Sequence, residues 1–298
     1  MIDTKFSKGF LWGTATSSYQ IEGAPNLDGK GPSVWDTFSH IEGNVKNGDN
    51  GDQACDHYNL WQKDIKLLKE LGVKAYRFSI SWPRIFPNGK EKLPNEAGLD
   101  FYDRLVDHLL ENTIQPFITL NHWDIPQGLE DIGGWPNRSM VDAFVKYSYY
   151  VSTRLGDRAK NWITHNEPWC ISYLGYIQGQ FPPGIKDNWP KSLATAHHLL
   201  LSHGMSINEI RNNSNDSNIG ITLNLSPSTP ASKSQYDKEA CKFYDGQFNR
   251  LYLDPLYKAK YPKDLFDSLI KKKYIQKEDL NFIKTEDLKV ISKKTDFL

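Results

Sequence analysis

Cysteine is scarce in this chain: Cys55, Cys170 and Cys241 are the three among 298 residues, and they lie far apart. That spacing matches neither a disulfide framework nor a structural zinc site, so a reduced compartment is expected, with no metal. Net charge is missing too. Lys and Arg together number 36, as do Asp and Glu, which removes the electrostatic reason to expect nucleic acid or an anionic membrane as a partner. The lysine-rich stretches 271–273 and 293–294 read as solvated helix faces. No apolar run is long enough to span a bilayer, and Met1, Ile2, Asp3, Thr4, Lys5 and Phe6 form no apolar leader. A cytoplasmic protein is the expectation.

Aromatic residues are what the chain has in excess, at 13% of residues with nine tryptophans. Core packing explains Trp61 and Trp162, which fall within apolar periodic segments. Trp12, Trp35, Trp82, Trp123, Trp135, Trp169 and Trp189 instead neighbour Gly, Pro, Asp or His, in loops or near the ends of expected strands. A flat apolar face with a polar edge suits stacking on a sugar ring, so a carbohydrate site is expected among these seven.

Short β-rich runs alternate with longer segments of helical period. Strands are expected over 10–16, 75–81, 116–121, 162–166 and 219–225. Helices are expected over 55–71, with Gly72 as its C-cap, and over 99–110, 140–155, 192–211, 242–257 and 263–270. Residues 295–298 begin a further strand. Repeated βα units build either an open doubly wound sheet or an eight-fold barrel. The open sheet predicts a Gly-rich phosphate turn after the first strand, and residues 14–20 contain none. Long loops follow the strands while the return connections are shorter, as when the chemistry sits on the strands' C-terminal rim. The fold expected is therefore an α/β (β/α)8 barrel, a single domain over 1–298 that stops after about five βα units.

Polar groups stand where buried strands do not need them: Gln20 after the first strand, Arg77 within the second, His122 after the third, Asn166 and Glu167 after the fourth. A barrel brings these ends into one pocket. Glu167 is the sharpest of them. Pro168 disfavours the helical region for the preceding residue, so Glu167 is expected to be extended. Pro168 also lacks the N–H that would most readily stabilise a neighbouring carboxylate. With Trp162, Trp169 and His165 close in sequence, partial desolvation is expected, as suits a general acid working near neutrality.

The segments 10–24 (FLWGTATSSYQIEGA), 76–84 (YRFSISWPR), 119–126 (TLNHWDIP) with Gly133, Gly134 and Trp135, and 164–168 (THNEP) resemble the signatures of family 1 glycoside hydrolases, the retaining β-glycosidases. The resemblance runs from Lys5 to the last residue and implies a (β/α)8 barrel. It implies Glu167 as the acid/base, and Asn166 as the group that binds the sugar 2-hydroxyl, a contact that tightens in the transition state. It further implies Gln20 and His122 on the 3- and 4-hydroxyls with Trp123 beside them, and Arg77 near the nucleophile, helping to keep it ionised. The substrate implied is a β-linked glycoside, most simply a β-glucoside, and the chemistry needs no cofactor. Myrosinases in the family carry Gln in place of the acid/base Glu, which sets this chain apart from them.

The family's nucleophile, a Glu in an Ile/Val-Thr-Glu-Asn-Gly context on strand seven, has no counterpart here. Glu286, in the sequence Lys284, Thr285, Glu286, Asp287, imitates it superficially, but its surroundings are helical and charged. A chain with the acid/base and no nucleophile is expected to be inactive alone. Its first and fifth strands are expected to be unpaired edges, leaving it to pair with a missing C-terminal portion or to self-associate. A non-catalytic sugar-binding or interaction protein and an inert truncated product are the alternatives.

Overall fold

In residues 75–79 the side chains of Tyr76 and Phe78 alternate with those of Arg77 and Ser79, and this period of two sets the architecture. In the computed structural model, which describes residues 5–298, one face of the sheet meets helices and the other carries the polar groups. Residues 1–4, where a leader was sought, lie outside the described residues. The sheet has five parallel strands in sequence order: β1 (Gly13–Ala15), β2 (Ala75–Ser79), β3 (Gln115–Asn121), β4 (Asn161–Asn166) and β5 (Asn218–Thr222). Four long helices, α1 (His57–Leu71), α2 (Glu96–Glu111), α3 (Ser139–Leu155) and α4 (Trp189–Asn213), each follow one of the first four strands. After β5 come α5 (Gln235–Asp245), α6 (Leu251–Lys258), α7 (Lys263–Lys271) and α8 (Asp287–Ile291).

The helix-side core joins Tyr76, Phe78, Ile118, Leu120, Trp162 and Ile219 of the strands to Ile65, Leu105, Leu109, Phe144, Tyr147 and Ile207 of the helices. Leu99, Tyr102, Leu105, Val106 and Leu109 form the buried stripe of α2, as their spacing predicts. Gly72 closes α1 at φ +77°, the left-handed C-cap that glycine adopts without strain. A second cluster gathers Leu193, Leu200, Tyr252, Leu256, Leu265 and Ile291, holding α6, α7 and α8 against α4.

Three differences from the expected elements have physical causes. The run 10–16 yields a strand of only three residues, because Phe10 and Trp12 turn out to solvent and pack on Phe6 instead. The expected helix 242–257 is the end of α5, a π-turn at Gly246–Arg250, and α6. In that turn Asn249 bonds both the N–H and the carbonyl of Ser226, at 3.0 and 2.8 Å, which ties the helices to the loop after β5. The edge of β5 is not bare. Phe297 forms a parallel bridge to Gly220, and Asp296 exchanges hydrogen bonds of 2.8 and 2.9 Å with Ile219. Residues 295–298 thus begin a further strand as expected, and only β1 keeps an outer edge without a strand partner among the described residues. Among those residues no helix is long and apolar enough to cross a membrane.

Candidate active site

The end of β4 is shaped by an irregular register. Ile163 pairs with Gly220 and Asn166 with Thr222, so β4 carries one residue more than β5 over that stretch. Such a bulge re-aims side chains at a strand end. It sends Thr164 and His165 toward α4, where they bond His203 at 2.7 Å and Ser202 at 2.9 Å, and leaves Asn166 on the opposite face. There Asn166 Oδ1 accepts from Arg77 Nη2 at 2.5 Å, and Arg77 Nε donates to Thr119 Oγ1 at 2.9 Å. Trp123 Nε1 donates to the Asn166 carbonyl at 2.8 Å, and the His122 and Trp123 rings lie 4.7 Å apart. Three strands, β2, β3 and β4, are joined by these contacts.

Electrostatics follow from burial. His122 is pushed down to about 3, chiefly by burial and then by the charge of Arg77, so it is a neutral imidazole at physiological pH. Its Nδ1 is buried without a partner, a polar atom suited to a ligand hydroxyl. Burial also weakens the hold of Arg77 on its proton, an effect that the charge of Glu167 opposes. Among the described residues Glu167 is the one carboxylate that acts on Arg77 in this way.

Glu167 is not extended. Its φ is +48°, in the left-handed region. Its N–H still completes the ladder to Thr222 O at 2.8 Å, while its carbonyl already accepts from Cys170 N at 2.9 Å. The chain must therefore turn from strand into the π-turn Cys170–Leu174 within one residue. Pro168 excludes the right-handed helical region there, and the turn falls to the left-handed one. Such a conformation at a non-glycine residue stores strain of the kind found at functional sites.

The seven tryptophans divide. Trp82 and Trp135 are almost wholly buried in the first core cluster and Trp189 lies buried in the second, so no face of theirs is offered to a sugar; their neighbouring Gly and Pro residues mark turns that the core covers. Trp12 is exposed but precedes β1, at the end of the sheet opposite the site. Trp35 and Trp123 flank Phe181, with centroids 4.9 and 5.1 Å from it, and Trp169 stacks on Tyr173 at 4.9 Å. These three stand beside the site. Trp61 and Trp162 pack in the core as expected.

Gln20 lies on the helical turn Ser18–Ile21 after β1, exposed, and takes no part in the hydrogen bonds linking the other site residues. Its segment is nonetheless fixed. Glu22 pairs with Arg84 at 2.7 Å in the core and accepts from Tyr102 at 2.6 Å, and Ser18 Oγ donates to Asp124 Oδ2 at 2.6 Å. Two side chains of the site escape a reading by sequence. Thr119 anchors Arg77 and is detectable only as a polar residue on the face of β3 shared with the site. Cys170 Sγ donates to Glu167 Oε2 at 3.3 Å, and its position four residues after the end of β4, at the start of a π-turn, gives no periodic signal. Glu286 is exposed and pairs with Lys289 at the head of α8, so it takes no part in the site. Among the described residues no group of three His, Cys, Asp or Glu side chains could hold a metal.

Comparison with known proteins bears on what this constellation is. Beta-glucosidase A of Acetivibrio thermocellus is 52% identical over 293 residues, which are 98% of this chain and 64% of that protein. A crystal structure of the AHE enzyme from Alicyclobacillus herbarius superposes with a TM-score of 0.93 at 45% identity, over 99% of this chain and 64% of that one. The virulence factor SghA from Agrobacterium tumefaciens, solved in complex with its substrate analog salicin, superposes with a TM-score of 0.90 at 42% identity, over 97% of this chain and 62% of that one. The chain therefore spans 62 to 64% of the length of these relatives. The family model for glycosyl hydrolase family 1 matches residues 2–298, and the chain belongs to that family.

Proposed function

We propose that this chain supplies the acid/base side of a retaining β-glucosidase site, on the first five units of a (β/α)8 barrel. The observation that carries the reading is the link from Arg77 through Asn166 to the strand end bearing Glu167. A relative at 52% identity named Beta-glucosidase A and the salicin complex of another relative support a β-glucoside as substrate.

In this reading Glu167 gives its proton to the glycosidic oxygen as the bond from that oxygen to the anomeric carbon breaks, the electron pair staying with the oxygen. It later takes a proton from the attacking water. Asn166, its amide oriented by Arg77, meets the 2-hydroxyl. Neutral His122 and exposed Gln20 meet the 3- and 4-hydroxyls, with Trp123 beside them. The second carboxyl of a retaining site stands about 5 to 5.5 Å from the first, and among the described residues none holds that place beside Arg77. Arg77 is the cation that keeps such a group ionised, and the chain alone lacks turnover.

A small anion that substitutes for the nucleophile tests this. With 2,4-dinitrophenyl β-glucoside, the chain turns over only when azide is added, and proton NMR finds an α-glucosyl azide. Turnover without azide and with retained configuration contradicts the missing carboxyl. Glycoside binding by calorimetry without azide-dependent turnover favours a sugar-binding protein, and no binding at all defeats the reading.

A further inference from the structure

The turn after β4 contains a thiol that the acid/base reading leaves unused. Cys170 is 6% exposed, and its Sγ lies 3.3 Å from Glu167 Oε2, with the S–H donating. On its other side Asn224 Nδ2, from the segment after β5, donates to the same sulfur at 3.7 Å. The contact is built by the backbone. The left-handed Glu167 and the π-turn Cys170–Leu174 fold the side chains of residues 167 and 170 onto one another, and the Glu167 carbonyl is itself bound by the Cys170 N–H at 2.9 Å.

We infer that Cys170 is a positioning residue for Glu167: its S–H bond occupies Oε2 and leaves Oε1 as the oxygen that delivers and recovers the proton. This rests on the acid/base reading of Glu167. The chemistry of the donor matters. A backbone N–H or a guanidinium on that oxygen would hold the carboxylate ionised and spoil a general acid. A thiol is a weak donor, which orients the group with little bias on its proton. Pro168 contributes no N–H in its place. Burial, and then the negative charge of Glu167, push the Cys170 thiol far above its usual range, so it stays an S–H donor wherever the site works.

The infrared S–H stretch, which falls in a window free of other protein bands, reports this bond directly. A difference spectrum against Cys170→Ala isolates the Cys170 band. In Glu167→Gln that band moves to higher frequency, and in the unaltered chain it moves the same way as acid protonates Glu167. A band indifferent to both overturns the inference, whatever the chain does with sugars. The positioning consequence is read in azide-assisted turnover. Cys170→Val lowers the rate about tenfold for a phenyl β-glucoside, whose leaving group needs the proton, and far less for the dinitrophenyl glucoside, which does not. Cys170→Ser restores the rate. Equal losses on both substrates assign Cys170 a purely structural part. Absence of azide-assisted turnover in every variant counts against the acid/base reading itself, and the infrared band still decides whether the thiol holds Glu167.

Discussion

The two faces of the β4 end are both polar, and they are built to opposite purposes. Toward α4, His165 is fully buried with both ring nitrogens engaged, by Asn121 at 3.1 Å and Ser202 at 2.9 Å, and its ring stacks on Phe144 at 4.3 Å. Toward the site, Asn166 and Glu167 are the next two residues, yet Glu167 is only partly buried and His122 has an unpartnered nitrogen. Saturation, more than polarity or burial, separates the two imidazoles His165 and His122, although behind His165 the Oδ1 of Asn121 and the Nε2 of His203 are also buried without a partner. A buried imidazole with both nitrogens engaged is held by the fold, whereas one with a free nitrogen can meet a ligand.

Replacing His165 by Ala is the harshest way to test that contrast. It opens a cavity beside Phe144 and strands Asn121 and Ser202, with an expected loss of about 3 kcal/mol in urea unfolding. An equal loss from Asn166→Ala would erase the distinction.

Acid should act on both faces and alkali on the site side. Burial depresses His203, on the α4 side, to about 3 from an ordinary 6.5. A depressed group contributes stability that is present above the unfolded value and lost as pH falls, so the acid limb runs from 6.5 down toward 3, and His122 on the site side, depressed to the same value, adds to it. Asp124, beside the Ser18 turn on the site side, is raised to about 8 from 3.8, first by burial. A raised group contributes stability that is present in full below the unfolded value and is lost as pH rises through the folded one. The alkaline limb therefore ends near 8 and belongs to the site side. A fall in Tm of about 5 °C between pH 6 and pH 9 is expected, and Asp124→Asn should flatten it while leaving the acid limb in place.

The mildest change should be Glu167→Gln, isosteric and on the site side. Its effect on stability is expected within about 0.5 kcal/mol, together with loss of azide-assisted turnover on substrates that need the acid. A large destabilisation would place Glu167 among the structural groups.

Alternation carried much of the fold into view, because a strand with helices on one face writes its period into the sequence: Tyr76, Phe78, Ile118 and Leu120 mark the helix side without ambiguity. The site residues were legible for the same reason, as polar groups after those periods end. What stayed hidden depends on non-periodic backbone. The bulge in β4 turns His165, expected near Glu167 from its closeness in sequence, toward α4. The left-handed turn at Glu167 brings in Cys170, and the core burial of Trp82 and Trp135 depends on how the loops fold back. A proline restricts its neighbour to two regions of backbone space, and the sequence leaves the choice between them to the tertiary turn.

A sheet whose order in space is its order along the chain, β1-β2-β3-β4-β5, has a consequence for its making. Each strand leaving the ribosome meets a finished neighbour, and its search for a partner reaches back across one βα unit and no further. Synthesis can then build the sheet one strand at a time in a fixed direction. Phe297, bridged in parallel to Gly220, extends the same order beyond β5.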